Sequence, residues 1–336
     1  MKISVIISNM NGERFLNKLL ESIINQEEVE TEIIIVDRNS TDNSAEIISK
    51  YKDVKMISEP PQTGLVSGYH KGTSIATGNL LFFCNEDLYF DKRCLSELQK
   101  HIDIEKGIFA ADPWQWTYDQ KTWIHGGVSF DRAKLSLFVH PFYKVNPINN
   151  FKSGTAIPFG CAGAVLIEKN KYFEIGGWDT TFFIDAEDLD FFFRAWREKL
   201  FCVTVKEAKV YHYVGASNPT DLNKKGVKIV GKRRYISAVS NDMIVGLKHY
   251  HKRNFFIPAI LWLAHFTNNL LRVRFKLAGW NLLSLLGVLK QSKRILQYRK
   301  KNKELRSSQT ENNFFDNSKF QLSYKNSYQS TLNMRK

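Results

Sequence analysis

The front of this 336-residue chain alternates short apolar runs with amphipathic stretches, and this alternation is the feature that most constrains its fold. The apolar runs are 4–8, 32–37, 54–58 and 80–87, and the helical patterns that follow them are 14–26, 44–51, 68–76 and 92–102. Apolar strands that alternate with helices are typical of parallel sheets buried on both faces. We therefore predict an α/β fold, with a mostly parallel sheet covered by helices on both faces. Its ligands should bind beyond the carboxyl ends of the strands.

Polar residues cluster where these strands end. Asp37 is the last residue of the second apolar run, and Asp87 is the last residue of the run LLFFCNED. A carboxylate at a strand end is a suitable ligand for a metal ion, because hard cations prefer oxygen. A turn into the next helix is the alternative for Asp87, and the role of Asp37 stays open here. The chain contains neither GxGxxG nor GxxxxGK[ST], which removes the main support for a dinucleotide-dependent dehydrogenase or a P-loop protein.

Charge is distributed unevenly along the chain. Residues 224–306 carry 20 Lys or Arg against two acids, a net charge of +18, whereas the whole chain carries +14. The remaining residues therefore carry −4. This asymmetry predicts a catalytic or binding domain followed by a module for a polyanionic surface. Four widely separated cysteines without a CxxC pair argue against a zinc site or a disulfide framework, and they fit a reducing compartment.

Two apolar segments lie within the basic region. Residues 254–271 contain no Lys, Arg, Asp or Glu, and 277–289 are shorter still, whereas a membrane-spanning helix needs about 20 mainly apolar residues. Their basic flanks favour helices that lie in an anionic membrane interface. Helices packed on the catalytic domain and a transmembrane hairpin are the alternatives. We predict a catalytic domain over 1–223, a membrane-associating helical region over 224–306 and a disordered tail over 307–336.

Five stretches resemble, in order, the motifs of glycosyltransferase family 2, the inverting enzymes of GT-A fold that use nucleotide sugars. They are SVIISNMN (4–11), VDRNSTDNS (36–44), SEPPQTGLVSGYHKGTSIATGNLLFFCNED (58–87), GCAGAVLIEKNKYFEIGGWDTTFFIDAEDLDFFFRAW (160–196) and VYHYVGAS (210–217). The resemblance covers roughly residues 3–217 and implies a Rossmann-like GT-A sheet. Six positions depart from the family pattern. Arg38 and Asn39 replace an acidic or amide residue and a glycine, Asn85 replaces a common first Asp, and Val66, Ser67 and His70 replace Tyr, Asp and Asn.

The resemblance also implies a donor site. Its nucleotide-binding residues would be Ser8, Asn11, Asp37, Lys71 and Asp87. Asp37 would contact the base and Lys71 the diphosphate, although a solvated surface lysine is the simpler interpretation of Lys71. Asp87 and His212 would hold a divalent cation, Mn²⁺ or Mg²⁺, that stabilises the leaving diphosphate. Imidazole suits Mn²⁺ better than Mg²⁺, and a core histidine is the alternative for His212.

The segment FFIDAEDLDFFFRAW (182–196) places four acids among aromatic residues. If a helix begins near residue 185 or 186, these acids lie in its first turn, where free N–H groups and the macrodipole favour negative charge. Asp185 as N-cap, with Asp188 three positions on, is a structural explanation. Asp190 and Arg194 are spaced i, i+4 and should pair.

The resemblance gives the same segment a catalytic role. It implies that Asp188 is the general base and that Glu187 orients the acceptor hydroxyl. Trp178 and Trp114 are candidate acceptor-binding platforms, because sugars present C–H faces to aromatic rings. Ordinary packing is the alternative for both tryptophans.

Together these observations predict an inverting glycosyltransferase of bacterial surface-polysaccharide biosynthesis. Its donor would be a UDP-, GDP- or dTDP-linked sugar, its acceptor a glycan or lipid-linked glycan, and its location the inner face of the cytoplasmic membrane. A polyprenyl-phosphate glycosyltransferase, an inactive membrane-bound scaffold and a basic nucleic-acid-binding protein are the alternatives. Because no helix-turn-helix, zinc-finger or RNA-binding aromatic motif is present, we expect no nucleic-acid partner.

Overall fold

The computed structural model describes residues 1–60, 63–132, 143–147, 151–213, 231–251, 255–302 and 320, with the backbone alone for 130–132 and 143–147. The strands are β1 (Ile3–Asn9), β2 (Thr31–Asp37), β3 (Val54–Ser58), β4 (Leu80–Asn85), β5 (Leu88–Phe90), β6 (Ile108–Thr117), β7 (Trp123–His125), β8 (Val128–Arg132), β9 (Tyr143–Pro147), β10 (Thr155–Ile157), β11 (Ala164–Glu168) and β12 (Phe201–His212). The helices are α1 (Glu13–Ile24), α2 (Ser44–Ser49), α3 (Leu65–Thr73), α4 (Cys94–Lys100), α5 (Lys169–Glu174), α6 (Glu187–Arg197), α7 (Lys232–His249), α8 (Ile257–Leu271), α9 (Phe275–Lys290) and α10 (Ser292–Lys301).

The predicted α/β fold is confirmed. The main sheet has the strand order β10-β12-β6-β11-β4-β1-β2-β3, with β5 paired to β12 and β7 paired to β6. Strands β1 to β4 pair in parallel, as their apolar runs predict. The sheet continues through β11, which is antiparallel to both β4 and β6. Parallel strands in register bring their carboxyl ends to one edge, so the polar residues that follow β1, β2 and β4 lie together there.

Helices cover both faces of the sheet because alternate residues of each strand point to opposite sides. In β1, Ile6 joins a buried cluster with residues of α3 and α6, whereas Val5 and Ile7 join a second cluster with residues of α1 and α4. Fully burying one such aliphatic side chain stabilises the fold by about 1.5–3 kcal/mol. The unbroken apolar runs therefore reflect strands buried on both faces.

The C-terminal helices pack on the catalytic sheet and on one another. Buried residues of α7, α9 and α10, including Ile244, Val288 and Ile295, belong to the same apolar cluster as the strands. The predicted boundary between 223 and 224 lies outside the described residues. The predicted tail also lies outside them except for Phe320, whose buried ring packs near Trp196.

Helices α8 and α9 match the two apolar segments of the basic region. Within the described chain, no helix combines the length and the apolar character needed to cross a membrane.

Candidate active site

The carboxyl ends of β1 and β2 form one side of the candidate site. Asp37, the last residue of β2, is buried and accepts hydrogen bonds from Asn9 Nδ2 at 2.7 Å and Ser40 Oγ at 2.6 Å. Asn11 is exposed, and its side-chain oxygen accepts a hydrogen bond from the Thr41 N–H at 2.8 Å. The loop after β2 thus fixes Asp37 and Asn11, and their contact with a nucleotide stays a prediction.

Ser8 lies against α3 and Lys71 belongs to that helix, and the two residues have different environments. Ser8 is fully buried, and its hydroxyl donates to the Leu65 carbonyl at 3.3 Å. A Cβ at Gly68 would lie 2.3 Å from Ser8 Oγ, so α3 needs glycine there to approach β1. Lys71 is half exposed, with Nζ 3.6 Å from Glu59 Oε1. Burial argues against a direct contact between Ser8 and a nucleotide, and the role of Lys71 stays a prediction.

Asp87 and His212 face each other at the ends of β4 and β12. His212 Nε2 lies 3.2 Å from Asp87 Oδ1, and His212 Nδ1 lies 3.0 Å from Gln115 Oε1. Because an amide oxygen only accepts hydrogen bonds, Nδ1 donates to Gln115, and Nε2 is the ring nitrogen that faces the carboxylate. A carboxylate oxygen and an imidazole nitrogen together suit Mn²⁺.

This pair fits a cation that has few protein ligands. The described residues contain no group of three or more His, Cys, Asp or Glu side chains placed to hold a metal. The remaining ligands would therefore have to be phosphate oxygens and water, as is usual for cations that bind with substrate phosphates.

Residues 160–163 connect this pair to the start of α6. The Gly163 carbonyl accepts a hydrogen bond from the Asn85 N–H at 2.9 Å, and a Cβ at Gly163 would lie 2.7 Å from Asn85 Nδ2. Glycine is therefore required for this close approach. The neighbouring Ala162 hydrogen-bonds through its backbone to the Asp188 carboxylate. One short loop thus touches both the end of β4 and the predicted base.

Glu187 and Asp188 occupy the first turn of α6, and their surroundings raise the pKa values of both carboxyl groups. Burial raises the pKa of Asp188 to about 6, and the negative charge of Asp185 adds to this, while the Leu189 N–H, 2.7 Å from Asp188 Oδ1, opposes it. Burial raises the pKa of Glu187 well above its usual value, and the charge of Asp188 raises it further. Glu187 Oε2 has no hydrogen-bond partner among the described residues. The helix start favours the ionised form of Asp188 and burial opposes it, so its pKa lies above the usual carboxyl range.

Asp185 is not the N-cap of α6, so that structural explanation is wrong. The N-cap position is Ala186, which supplies no side-chain hydrogen bond, and the helix begins at Glu187. Asp185 and Ala186 both adopt left-handed backbone conformations, with φ of 71° and 64°. The carboxylate of Asp185 instead pairs with Arg234 of α7 at 3.1 Å.

The predicted pair between Asp190 and Arg194 is confirmed at 3.0 Å. Asp190 is fully buried and also contacts Lys248 Nζ and His249 Nε2, both from α7. Burial alone would raise the pKa of Asp190, but the charges of Lys248 and Arg194 and the hydrogen bond from His249 hold it well below the usual value. This cluster joins α6 to α7 and has a structural role.

Both candidate tryptophan platforms are buried. Trp178 is 2% exposed and packs against Phe191, with ring centroids 4.4 Å apart. Trp114 is 4% exposed, and its Nε1 donates to Thr204 Oγ1 at 3.1 Å. A sugar platform needs an exposed ring face, so this burial favours the packing alternative for both residues.

Two features near the site were not predicted from the sequence. His125 Nε2 lies 3.3 Å from Asp112 Oδ2, and its pKa is raised because the Asp112 and Asp188 carboxylates outweigh the effect of burial. Arg38 is buried beside Asp37 and Glu86, and burial lowers its pKa. Arg38 stood out in the sequence as a departure from the family motif, whereas His125 carries no sequence signal.

The family assignment rests on a match along the chain. The model of the family described as "Glycosyl transferase family 2" matches residues 4–175, just over half of the 336 residues. The chain belongs to glycosyl transferase family 2. The match covers the strands from β1 to β11 and ends before α6, so Glu187, Asp188 and His212 lie beyond it.

Relatives match shorter parts of the chain. An uncharacterized glycosyltransferase of Nostoc sp. is 38% identical over 92 residues, which cover 26% of this chain and 28% of that protein. The poly(ribitol-phosphate) beta-N-acetylglucosaminyltransferase TarS of Staphylococcus aureus is 29% identical over 109 residues, 31% of this chain and 19% of TarS. In these matches the chain spans less than a third of each relative's length.

Two solved structures resemble the fold of this chain. The structure of S. aureus TarS 1–349 has a TM-score of 0.53 at 17% identity, covering 98% of this chain and 91% of that one. The structure of GalNAc-T7 with UDP, GalNAc and Mn²⁺ has a TM-score of 0.58 at 18% identity, covering 76% and 50%. At such low identity these likenesses concern the fold, and they confirm the GT-A prediction.

Proposed function

We propose that this family member is an inverting glycosyltransferase of bacterial surface-polysaccharide biosynthesis. Its donor would be a UDP-, GDP- or dTDP-linked sugar, and its acceptor a hydroxyl of a glycan or lipid-linked glycan. The name of TarS, which describes transfer of N-acetylglucosamine to poly(ribitol-phosphate), supports a polymeric acceptor. The UDP and GalNAc in the GalNAc-T7 structure support a nucleotide-sugar donor.

One observation carries this proposal: the 160–163 loop touches both the strand end that leads to Asp87 and the carboxylate of Asp188. Glycosyl transfer needs two groups on either side of the anomeric carbon. One stabilises the leaving diphosphate, and the other accepts the proton of the acceptor hydroxyl. The Asp87–His212 pair and Asp188 supply both chemistries next to a single loop.

The carboxylates of α6 define the proposed acceptor side. Ionised Asp188 takes the proton from the acceptor hydroxyl while the hydroxyl oxygen bonds to the anomeric carbon from the face opposite the diphosphate. The bond from that carbon to the phosphate oxygen breaks in the same step, and the diphosphate keeps the electron pair. Glu187, whose pKa burial raises well above its usual value, orients the acceptor hydroxyl through a hydrogen bond. A divalent cation held by Asp87 and His212 would supply positive charge for the leaving diphosphate.

A donor screen tests the proposal. The full chain is incubated with a panel of UDP-, GDP- and dTDP-sugars, with Mn²⁺, Mg²⁺ or EDTA, and release of nucleoside diphosphate is measured. We expect release with one nucleotide class, stimulated by a glycan acceptor and lost in EDTA. Binding without any turnover would favour the scaffold alternative. Stimulation by polyprenyl phosphate alone would favour the polyprenyl-phosphate alternative.

We further propose that the enzyme works at the inner face of the cytoplasmic membrane. Large apolar side chains are exposed on α8, on α9 and in the turn between them. They include Ile260 (61%), Leu271 (79%), Val273 (69%), Phe275 (66%), Leu286 (52%) and Leu289 (55%). Arg272, Arg274 and Lys276 lie within the same surface and are exposed. Apolar side chains next to basic ones suit an anionic lipid interface.

A further inference from the structure

Helix α7 makes polar contacts with the backbone that leads into the acidic start of α6. Arg234 donates from Nε and Nη2 to the carboxylate of Asp185 at 3.2 and 3.1 Å. Asn241 Nδ2 donates to the carbonyls of Ile184 and Asp185 at 2.9 and 2.8 Å. Ser237 Oγ donates to the Ile184 carbonyl at 2.8 Å. Three side chains spaced along one face of α7 therefore hold two consecutive residues of this segment.

The segment needs such support because its backbone is strained. Asp185 and Ala186 are consecutive non-glycine residues in the left-handed region, which L-residues adopt at a cost. Ala186 has no polar side chain to compensate, and α6 has no side-chain cap. The direction in which Glu187 and Asp188 leave the segment depends on this conformation.

We propose that Arg234 and Asn241 are positioning residues for Glu187 and Asp188. This proposal rests on the proposed function, in which Glu187 and Asp188 face the acceptor. Asn241 acts through geometry alone, because it fixes two carbonyls and carries no charge. Arg234 acts through geometry and charge, because it neutralises Asp185 beside both carboxylates.

Several charged or titratable groups interact with these carboxylates, from three elements and two loops. They are Tyr69 of α3, His125 of β7, Arg234 and Asp242 of α7, Cys161 of the 160–163 loop and Asp185 of the loop before α6. Asp185 raises the pKa of Asp188 and Arg234 lowers the pKa of Glu187. Removing the charge of Arg234 leaves the Asp185 carboxylate without its partner. The pKa of Asp188 then rises. The acidic limb, which is the low-pH side of the plot of kcat against pH, therefore moves to higher pH.

The test compares Asn241→Ala, Arg234→Gln and Arg234→Lys in the full chain. We expect Asn241→Ala to lower kcat roughly tenfold, since small displacements of a reacting group are costly, with an unchanged donor KM and an unchanged acidic limb. Arg234→Gln should lower kcat similarly and also move the limb to higher pH, while Arg234→Lys should restore most of both. Lys232→Gln is the matched control, because it removes an exposed positive charge from the same helix and should resemble wild type.

Asp185→Asn provides a second test of the positioning role, so that the conclusion does not depend on the folding of one variant. It removes the charge that Arg234 neutralises, so Arg234→Gln should shift the limb less in the Asp185→Asn background than in wild type. Equal shifts in the two backgrounds, or wild-type kcat in both Asn241→Ala and Arg234→Gln, would overturn the positioning role.

Hydrogen exchange separates this proposal from the proposed function. The Asp190 N–H bonds to the Ala186 carbonyl at 3.1 Å, so a peptide covering 184–190 reports on the held segment without any substrate. We expect faster exchange there in Asn241→Ala than in Lys232→Gln. If wild type releases no nucleotide from any donor, the proposed function fails while the exchange result still decides positioning. Equal exchange in the two variants would refute positioning.

Discussion

At the scale of single residues, Glu187 and Asp188 are adjacent carboxyl groups whose pKa values are both raised, but by different surroundings. Asp188 receives hydrogen bonds from two backbone groups, which limits the rise of its pKa to about 6. Glu187 is more deeply buried, lacks such a partner at Oε2 among the described residues, and faces the charge of its neighbour. Two carboxyl groups whose environments separate their pKa values can divide proton acceptance and proton donation between them.

The first prediction concerns Asp188→Asn. The change keeps an acceptor oxygen for the Leu189 N–H but removes the base, so turnover should fall by roughly 10²-fold or more, with donor affinity unchanged. In wild type, kcat should rise with pH through about 6, because Asp188 must lose its proton to act as a base. Steady-state kinetics between pH 5 and 8 measures both effects.

Glu198→Gln is the control for this prediction. Glu198 lies exposed at the opposite end of α6, so the same chemical change there should leave turnover unaltered. Near-normal turnover in Asp188→Asn would exclude Asp188 as the general base and leave it only a structural role at the start of α6.

The second prediction concerns Asp87→Ala. Mn²⁺ should increase the affinity for the nucleotide sugar in wild type, and Asp87→Ala should abolish this increase. The variant leaves His212 as the single protein ligand of the cation. Isothermal titration calorimetry with and without Mn²⁺ measures this increase. Asp53→Ala, at an exposed acid before the amino end of β3, should keep it. A full Mn²⁺ effect in Asp87→Ala would exclude Asp87 as a ligand.

At the scale of secondary-structure elements, α6 is held between the sheet and α7. Its aromatic residues Phe191, Phe192 and Phe193 are buried in the core. Asp190, on the same helix, is enclosed by Arg194, Lys248 and His249. Burial lowers the pKa of His249 to about 3 despite the nearby carboxylate, so His249 binds as a neutral donor and Lys248 and Arg194 supply the charge.

The third prediction concerns Lys248→Met. Losing one cation from a fully buried carboxylate should lower the free energy of unfolding by about 3–5 kcal/mol, measured by urea denaturation. Lys232→Met, at an exposed lysine of the same helix, should have little effect. In wild type, the ionised form of Asp190 stabilises the fold above the usual carboxyl pKa. This contribution is lost as the pH falls toward the lowered pKa of the folded state. An unchanged denaturation midpoint in Lys248→Met would contradict this description.

How much of these elements the sequence predicts depends on the range of the interactions involved. Strands β1 to β4 and their helices could be predicted because their apolar runs and helical periodicity are local signals. The i, i+4 pair of α6 is local too. The left-handed conformation of Asp185 and Ala186 could not be predicted, because neither residue is glycine and the conformation depends on Asn241 of a distant helix. The burial of Trp114 and Trp178 likewise depends on tertiary neighbours.

At the scale of the whole molecule, α7 joins two surfaces. One face contacts the segment before α6, while Tyr235 reaches His265 of α8 at 2.9 Å and Asn281 of α9 at 2.6 Å. Helices α8 and α9 in turn present exposed apolar side chains. The C-terminal helices therefore combine packing on the catalytic domain with a surface suited to lipid. From the sequence alone, packing on the catalytic domain and binding at a membrane interface were two alternative predictions for these helices.

The fourth prediction concerns membrane binding. The full chain should bind anionic liposomes at low salt in a sedimentation assay, and high salt should release it only in part. Salt screens the basic residues, whereas burial of apolar side chains in the bilayer is insensitive to salt. The double change Leu271→Ser and Phe275→Ser should weaken the salt-resistant fraction, because both side chains are exposed.

Ile24→Ser is the matched control, since Ile24 is an exposed aliphatic residue at the end of α1. It should leave liposome binding unchanged. Failure of the full chain to bind anionic liposomes at low salt would assign α8 and α9 to packing alone.

The contacts of α7 with the segment before α6 also bear on how such enzymes can be recombined. Helix α7 donates hydrogen bonds to the backbone next to the proposed acceptor-side carboxylates, so it cannot be exchanged independently of that backbone. In a chimera between relatives, the natural junction therefore lies after α7, so that the helix and residues 184–188 are inherited from the same parent. A new membrane-facing region could then be grafted without disturbing the chemistry, whereas a junction at the start of the basic region would separate two matched halves of one site.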